Sequence, residues 1–308
     1  VRGGGWWGFI DTTGTVVIRP AFHSALPFHE GLAAVATERG WGYIDHSGAF
    51  VIEPKFDHAL PFSEGLAAVQ RRDEWGYIDR SGKLVIKPRF TFAGDFRQGR
   101  AAVMVGEKWG VIDRRGRMVV SPRYDWIDQF SFNRAAVWVQ EPEVWSYGFV
   151  DLDGRVVVEP TFTSAERFRE GLSRVQVGDL YGYADTTGAL AIPARYGWAF
   201  EFSEGLAAVN EGSGWGFIDT SGNYVIEPRA DWSVSSFSDG LAAVRIGDEW
   251  GYIDRTGTIV IEPAFEGAEP FDRGRAIVWV GGKYGIIDKT GAFLAEPRYE
   301  RIQSYSKR

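Results

Sequence analysis

Nine aspartates recur at one fixed place in this chain: Asp11, Asp45, Asp79, Asp113, Asp151, Asp185, Asp219, Asp254 and Asp288. Each is followed three residues later by glycine. A carboxylate next to a serine or threonine oxygen could hold calcium, but calcium takes about six to eight oxygens and this word lacks the further ligands. The same word suits a tight hairpin turn, in which Asp accepts backbone N–H groups and Gly supplies a positive φ. The nine aspartates are therefore expected to be turn formers. Other chemistry is sparse. The four histidines, His23, His29, His46 and His58, fall in the first two copies at four different repeat positions. There is no cysteine, and no His-x-x-x-His or Glu-x-x-His word, so no metal site is expected. No Gly-x-Ser-x-Gly elbow appears. The Gly3-Gly4-Gly5 run is not followed by Gly-Lys-Ser/Thr and reads as a turn, not a phosphate loop. No cofactor and no catalytic residue are expected.

Aromatic residues offer a different chemistry, that of contact. Two residues after the aromatic of each Pro-x-Phe word stand Ser24, His58, Phe92, Trp126, Ser164, Trp198, Trp232, Gly267 and Arg301. The large rings Phe92, Trp126, Trp198 and Trp232 either fill core volume or form a strip for a sugar or a partner chain, with Asp125, Asp128 and Asp231 as polar neighbours. A second candidate is an insertion. Nine residues from Trp138 to Ser146 lie between Val137 and Tyr147 where other copies usually have five, and they include Pro142 and Trp145. The insertion is either a contact loop carrying an aromatic or a neutral extension.

The elements that position these residues follow from a repeat. An aromatic residue followed by glycine returns at Trp7, Trp41, Trp75, Trp109, Tyr147, Tyr181, Trp215, Trp250 and Tyr284, at spacings of 34, 34, 34, 38, 34, 34, 35 and 34. A copy reads W-G-Y-I-D-x-S/T-G-x-x-V-I-x-P-x-F-x-x-A-x-x-F-x-E-G-L-A-A-V. Its apolar runs, such as residues 65–69, 75–78 and 84–86, are too short for helices and read as strands. They are apolar almost continuously, which implies cover on both faces. A proline such as Pro54 or Pro88 ends the third run; in the sixth copy it has moved one residue earlier, to Pro193. The glycine before Leu-Ala-Ala is replaced once, by Asn133, the other residue that tolerates the left-handed region, so a positive φ is expected there. One copy buries too little to offset the ordering of its own backbone, and its neighbours must complete its core.

Residues 1–308 thus read as a single all-β repeat domain. Two architectures satisfy it: a closed β-propeller of nine blades, or an open solenoid of hairpins. The small side chains of Gly-Leu-Ala-Ala-Val suit the innermost strand of a blade. A weaker fourth strand around 56–62 completes the usual four. The terminal copies also resemble internal ones, whereas an open array needs polar caps. We favour the ring. If it closes, the last copy docks on the first without a full strand exchange, and hydrogen exchange should be fastest near 1–7 and 295–305.

The chain resembles the WG-repeat family of bacterial proteins over essentially all of its length. The resemblance is carried by Trp41-Gly42-Tyr43-Ile44-Asp45, Gly48, Val51-Ile52-Glu53-Pro54, Phe56, Ala59, Phe62, Glu64-Gly65-Leu66-Ala67-Ala68-Val69 and their equivalents. It departs from the pattern where Tyr replaces Trp at 147, 181 and 284. The resemblance implies generic modules with no catalytic residues to carry over. Net charge is −7, with basic residues scattered, which disfavours nucleic acid. No apolar run approaches the ~18 residues of a membrane span and no signal peptide is read, so cytoplasm and secretion both stay open. The expectation is a monomeric, non-catalytic binding or scaffold module for a protein or carbohydrate. The runner-up is a propeller enzyme acting at the central channel, where carboxylates or histidines would converge; a third reading is an engineered repeat without a selected ligand.

Overall fold

The computed structural model describes residues 1–11, 14–141, 144–300 and 302. Among them every regular element is a strand, gathered into eight four-stranded sheets and one three-stranded sheet. The sheet of residues 58–90 shows the plan. A two-residue first strand, His58–Ala59, is followed by the second, Leu66–Arg71, the third, Glu74–Asp79, and the fourth, Leu84–Phe90, each antiparallel to its predecessor. The weak strand expected around 56–62 therefore opens the next sheet and does not close its own copy. Leu-Ala-Ala lies second, flanked on both sides, so its small residues are not on an edge strand.

The second and third strands pair without interruption from Arg71↔Glu74 to Leu66↔Asp79. The third and fourth do not: Trp75 faces Phe90 and Tyr77 faces Ile86, so two steps on one strand meet four on the other. The surplus residues form a bulge around Pro88, where a missing N–H costs no ladder bond. That bulge explains the glycine of the aromatic-glycine word. A Cβ on Gly76 would stand 2.5 Å from the Ile86 carbonyl oxygen and 2.6 Å from Pro88 N. In the sixth copy, where proline has moved to 193, Gly182 is covered by Ala194 N at 2.7 Å instead.

The Asp-x-x-Gly word is a turn, as expected. Asp79 Oδ1 accepts Ser81 N at 2.9 Å, Ser81 Oγ at 2.6 Å and Lys83 N at 3.1 Å, and Gly82 adopts φ +80°. The turn also packs between copies: a Cβ on Gly82 would meet the Ile52 side chain at 3.0 Å. The turn before Leu-Ala-Ala is a two-residue hairpin in which both central residues are left-handed, Glu64 at φ 52° and Gly65 at φ 76°, closed by reciprocal Ser63 and Leu66 bonds. Asn133, at φ 62°, meets its expectation.

Burial separates the strands. The second and third are covered on both faces, whereas the fourth alternates, with Ile86 and Phe90 buried and Val85 exposed. The continuous cover read for the Leu84-Val85-Ile86 run is thus corrected: the fourth strand is a sheet edge with only one covered face. The core lies between sheets. One cluster joins Leu66, Trp75, Tyr77, Ile86 and Phe90 of one sheet to Ala93, Phe96, Val103 and Ile112 of the next.

Contacts gather the chain into two compact units. The larger run of one is residues 16–168, joined by 3–9; the other comprises 1–2, 10–15 and 169–308. In the latter, Ile10 packs with Ile277, Ile286 and Ala295, and Tyr299 Oη donates to the Gly14 carbonyl at 3.3 Å. A Cβ on Gly14 would meet that of Ala295 at 3.4 Å, as Gly291 meets Ile261 and Gly257 meets Ile226.

Candidate functional site

The two-residue first strand sets the exposed aromatics. Its residues alternate, so the second is buried (Ala59, Ala93, Ile127) and the first stays outside (His58, Phe92, Trp126). The outer residue shares a row with the anchor aromatic: Phe92 opposes Met104, which opposes Trp109, and side chains along a row share one face. Each outer ring also touches the anchor of the preceding sheet. The result is an unbroken run in the 16–168 unit: Trp41, His58, Trp75, Phe92, Trp109 and Trp126, with successive centroids 6.1, 6.4, 5.3, 5.5 and 4.8 Å apart. Trp75 and Trp109 are buried, while Phe92 and Trp126 keep 36% and 46% of their surface. In the other unit Trp198, at 65%, stacks on Tyr181 at 6.4 Å, and the Arg174 guanidinium lies 5.1 Å from the same ring.

Trp232 is a correction. It is buried among Ala208, Phe217, Val234 and Val244, and its backbone partner is Ile246. The seventh copy has Ala230 where others have the aromatic of Pro-x-Phe, and the following anchor is spaced 35 residues on. Trp232 fills the missing volume, and Ser233 occupies the outer position. Asp125, read as a polar neighbour of the row, is engaged within the fold. It caps the hairpin tip, accepting Lys108 Nζ at 2.6 Å and Gln140 N at 2.8 Å, and the Lys108 bond first of all holds its carboxyl below the ordinary range. Asp231 lines a separate cavity of about 580 Å³ with Glu227, Arg229 and Thr256. Arg301 and Pro142 lie outside the described residues.

The insertion lengthens strands instead of making a loop. Arg134–Glu141 and Val144–Asp151 stay paired to Glu141↔Val144, two residues beyond the neighbouring hairpin. Trp138 is therefore a strand residue, half-buried, directly opposite Trp126, edge-on to Trp145 at 5.4 Å and stacked with Tyr147 at 6.1 Å. Trp145 is 58% exposed. Sequence reasoning passed over Trp279, also exposed, which stacks on Tyr284 at 5.9 Å and covers Gly267. The signal was available: Trp279 stands where a ring can replace the one Gly267 lacks.

The histidines go to separate partners: His23 to Trp6, His46 to Phe28 and His58 into the run. Among the described residues no three His, Asp or Glu gather as metal ligands. The buried tyrosines of the aromatic-glycine word are structural: Tyr43, Tyr77, Tyr183 and Tyr252 each donate to the carbonyl seventeen residues on, and burial pushes their phenols up. Burial also raises the Asp95 carboxyl, against the pull of Arg97 and His29. A cavity of about 590 Å³ in the 169–308 unit is lined by Arg169, Glu201, Ser235, Ser238, Glu269 and Asp272 among others, with Arg169 and Glu201 ion-paired.

The WG containing repeat pattern matches residues 7–38, 41–74, 75–109, 109–137, 147–181, 181–214, 215–250, 250–284 and 284–307. The chain belongs to the WG-containing repeat family. The anchors Trp41, Trp75, Trp109, Tyr147, Tyr181 and Tyr284 are among the rings just described. No curated protein matches the chain. Among solved structures, a eukaryotic initiation factor is 13% identical with a TM-score of 0.63, the match covering 93% of this chain and 92% of that one. Hsv2p of Kluyveromyces lactis is 11% identical, TM-score 0.43, covering 73% and 90%. Apo AztD from Citrobacter koseri is 14% identical, TM-score 0.40, covering 79% and 82%. The first likeness concerns the fold of the WG repeats alone.

Proposed function

We propose that these WG repeats form one non-catalytic binding module, a closed nine-bladed propeller that takes a protein or carbohydrate partner on its exposed aromatic row. The observation that carries the binding reading is the unbroken run from Trp41 to Trp126, with Phe92 and Trp126 open to solvent and fixed from behind by buried tryptophans. Rings held at fixed spacing lose little entropy on contact, which favours their use as anchors. The ring is supported by the four-stranded meander of eight of the nine sheets. It is supported too by the first copy's Gly14 turn resting on the last copy's Ala295, the relation that internal turns have with their predecessors.

The binding reading is tested on glycan and peptide arrays with the intact chain and the triple variant Phe92→Ala, Trp126→Ala, Trp198→Ala. Ligands retained by the intact chain should be lost by the variant, which should melt within a few degrees of it because these rings are exposed. Equal retention by both proteins would refute the assignment. The enzyme reading rests on the carboxylates Glu201, Glu269 and Asp272 lining one cavity. Against it, Arg169 engages Glu201, and the Ser235 and Ser238 hydroxyls donate to the Ser236 and Phe271 carbonyls.

A further inference from the structure

We propose that the aromatic row binds a proline-rich segment in the polyproline II conformation, with a proline at every third residue lying on His58, Phe92 and Trp126. The proposal rests on the reading of the row as a binding surface and names the partner's chemistry. These three are the outer residues of successive sheets, each the exposed member of a two-residue strand. The same position holds Ser24 before them and Ser164 after them, so the track is three side chains long. Equivalent residues of sheets packed face to face recur about every 10 Å, and the steps of 5.5 and 4.8 Å through Trp109 allow no more than that between Phe92 and Trp126. Polyproline II gains about 3.1 Å per residue and returns a side chain to the same side every third residue, after about 9.3 Å. An extended strand returns one every second residue, after about 6.6–6.8 Å, and falls out of register with the rings.

The polar groups of the track decide between a peptide and a sugar. Opposite Phe92 and Trp126 across the sheet stand Met104 and Trp138, so this end of the track presents rings, a thioether and indole N–H groups. Trp138 Nε1 is buried without a hydrogen-bond partner, and Trp126 Nε1 has none among the described residues. An indole N–H only donates. Proline has no N–H while its carbonyl still accepts, and polyproline II leaves its carbonyls without internal bonds. A segment of acceptors without donors therefore matches a track of donors. Sugar hydroxyls donate as well as accept, and the carboxylates beside the track are committed to hairpin tips. Asp57 accepts the Arg72 N–H at 2.7 Å, and Asp125 accepts Lys108 Nζ at 2.6 Å and the Gln140 N–H at 2.8 Å. Both partners are also ordered beforehand: the outer rings rest on buried Trp75 and Trp109, and polyproline II is already formed in the free peptide.

The test is a titration of the full chain, followed by its indole N–H resonances, with a capped heptapeptide that carries proline at its first, fourth and seventh places and glutamine between. Beside it are titrated a heptapeptide with the same three prolines gathered at its start, cellohexaose and chitohexaose. Saturable binding of the spaced peptide is expected, about tenfold tighter than the gathered one, which can set only one proline on a ring at a time. Trp126→Phe keeps a ring but removes the donor and should weaken binding about fivefold, and Trp126→Ala should abolish it. Equal binding of the two peptides, tighter binding of either oligosaccharide, or no saturable binding of the spaced peptide would each overturn the proposal. If the peptide fails while the triple ring variant still loses its array ligands, the row binds a partner of another class; if both fail, the row itself is not the surface.

Discussion

Gly76 and Gly65 both resist a side chain, for opposite reasons. Gly76 has ordinary φ but no room, because the Pro88 bulge covers it at 2.5 Å; Gly65 has nothing within 4 Å but a φ of +76°. Gly76→Ala must move backbone and should cost about 2–3 kcal/mol. Gly65→Ala pays only for the left-handed conformation and should cost about 1 kcal/mol. Urea unfolding of both variants checks the order, and a larger loss at Gly65 would contradict it. The turn aspartates make a pH prediction. Hydrogen bonds, led by the Ser81 hydroxyl at Asp79, hold their carboxyls below the ordinary value of 3.8; Asp45, Asp185, Asp254 and Asp288 are held down in the same way. A folded value below the unfolded one adds stability that is fully present above 3.8 and is lost as pH falls through the depressed values. The contribution of these five aspartates to the melting temperature should therefore hold level above that value and fall away below it. Carboxyl NMR of Ser81→Ala should show Asp79 titrating at higher pH than in the parent chain; an unchanged titration would remove the hydroxyl as its main cause.

Between elements, a side-chain latch joins one copy to the next. Glu30 accepts the Gly65 N–H, Glu64 that of Gly99, Glu170 that of Gly205, and Glu204 both Asp239 and Gly240, each from a turn thirty-five or thirty-six residues away. Glu204→Ala leaves two half-buried N–H groups without their carboxylate and should cost about 1–3 kcal/mol, with faster hydrogen exchange at Gly240. Unchanged exchange there would show the latch to be idle. This latch was not legible in the sequence, because Glu64 reads as an ordinary polar residue before a glycine, and only the I′ turn makes it left-handed and aims it forward. The strands, the Asp79 turn and the positive φ of Asn133 were legible, since short-range patterning decides them. The place of the outer row in the copy was legible at Phe92, Trp126 and Trp198, but not whether those rings face the core or solvent, which the short first strand decides. It failed at Trp232 because counting from the proline ignored the lost aromatic at Ala230, whose volume the core reclaims. Trp138 misled for a related reason: an insertion can lengthen a hairpin as readily as a loop.

At the scale of the whole molecule, stability is shared between neighbours, because core clusters among the described residues draw on two copies. The junction of the first and last copies has the small pair Gly14 and Ala295 where the internal turns Gly48, Gly82, Gly116, Gly222, Gly257 and Gly291 lie against isoleucine and Gly154 against Val120. Less buried surface there should make residues 1–7 and 295–300 exchange hydrogen fastest, and uniform protection along the chain would contradict that. Closure of the nine copies into a ring is tested most directly by small-angle X-ray scattering on the monomer. The closed ring predicts a radius of gyration of about 19 Å, or slightly more for a disc with a hole. A markedly larger, rod-like value would contradict closure and leave an open solenoid of WG repeats.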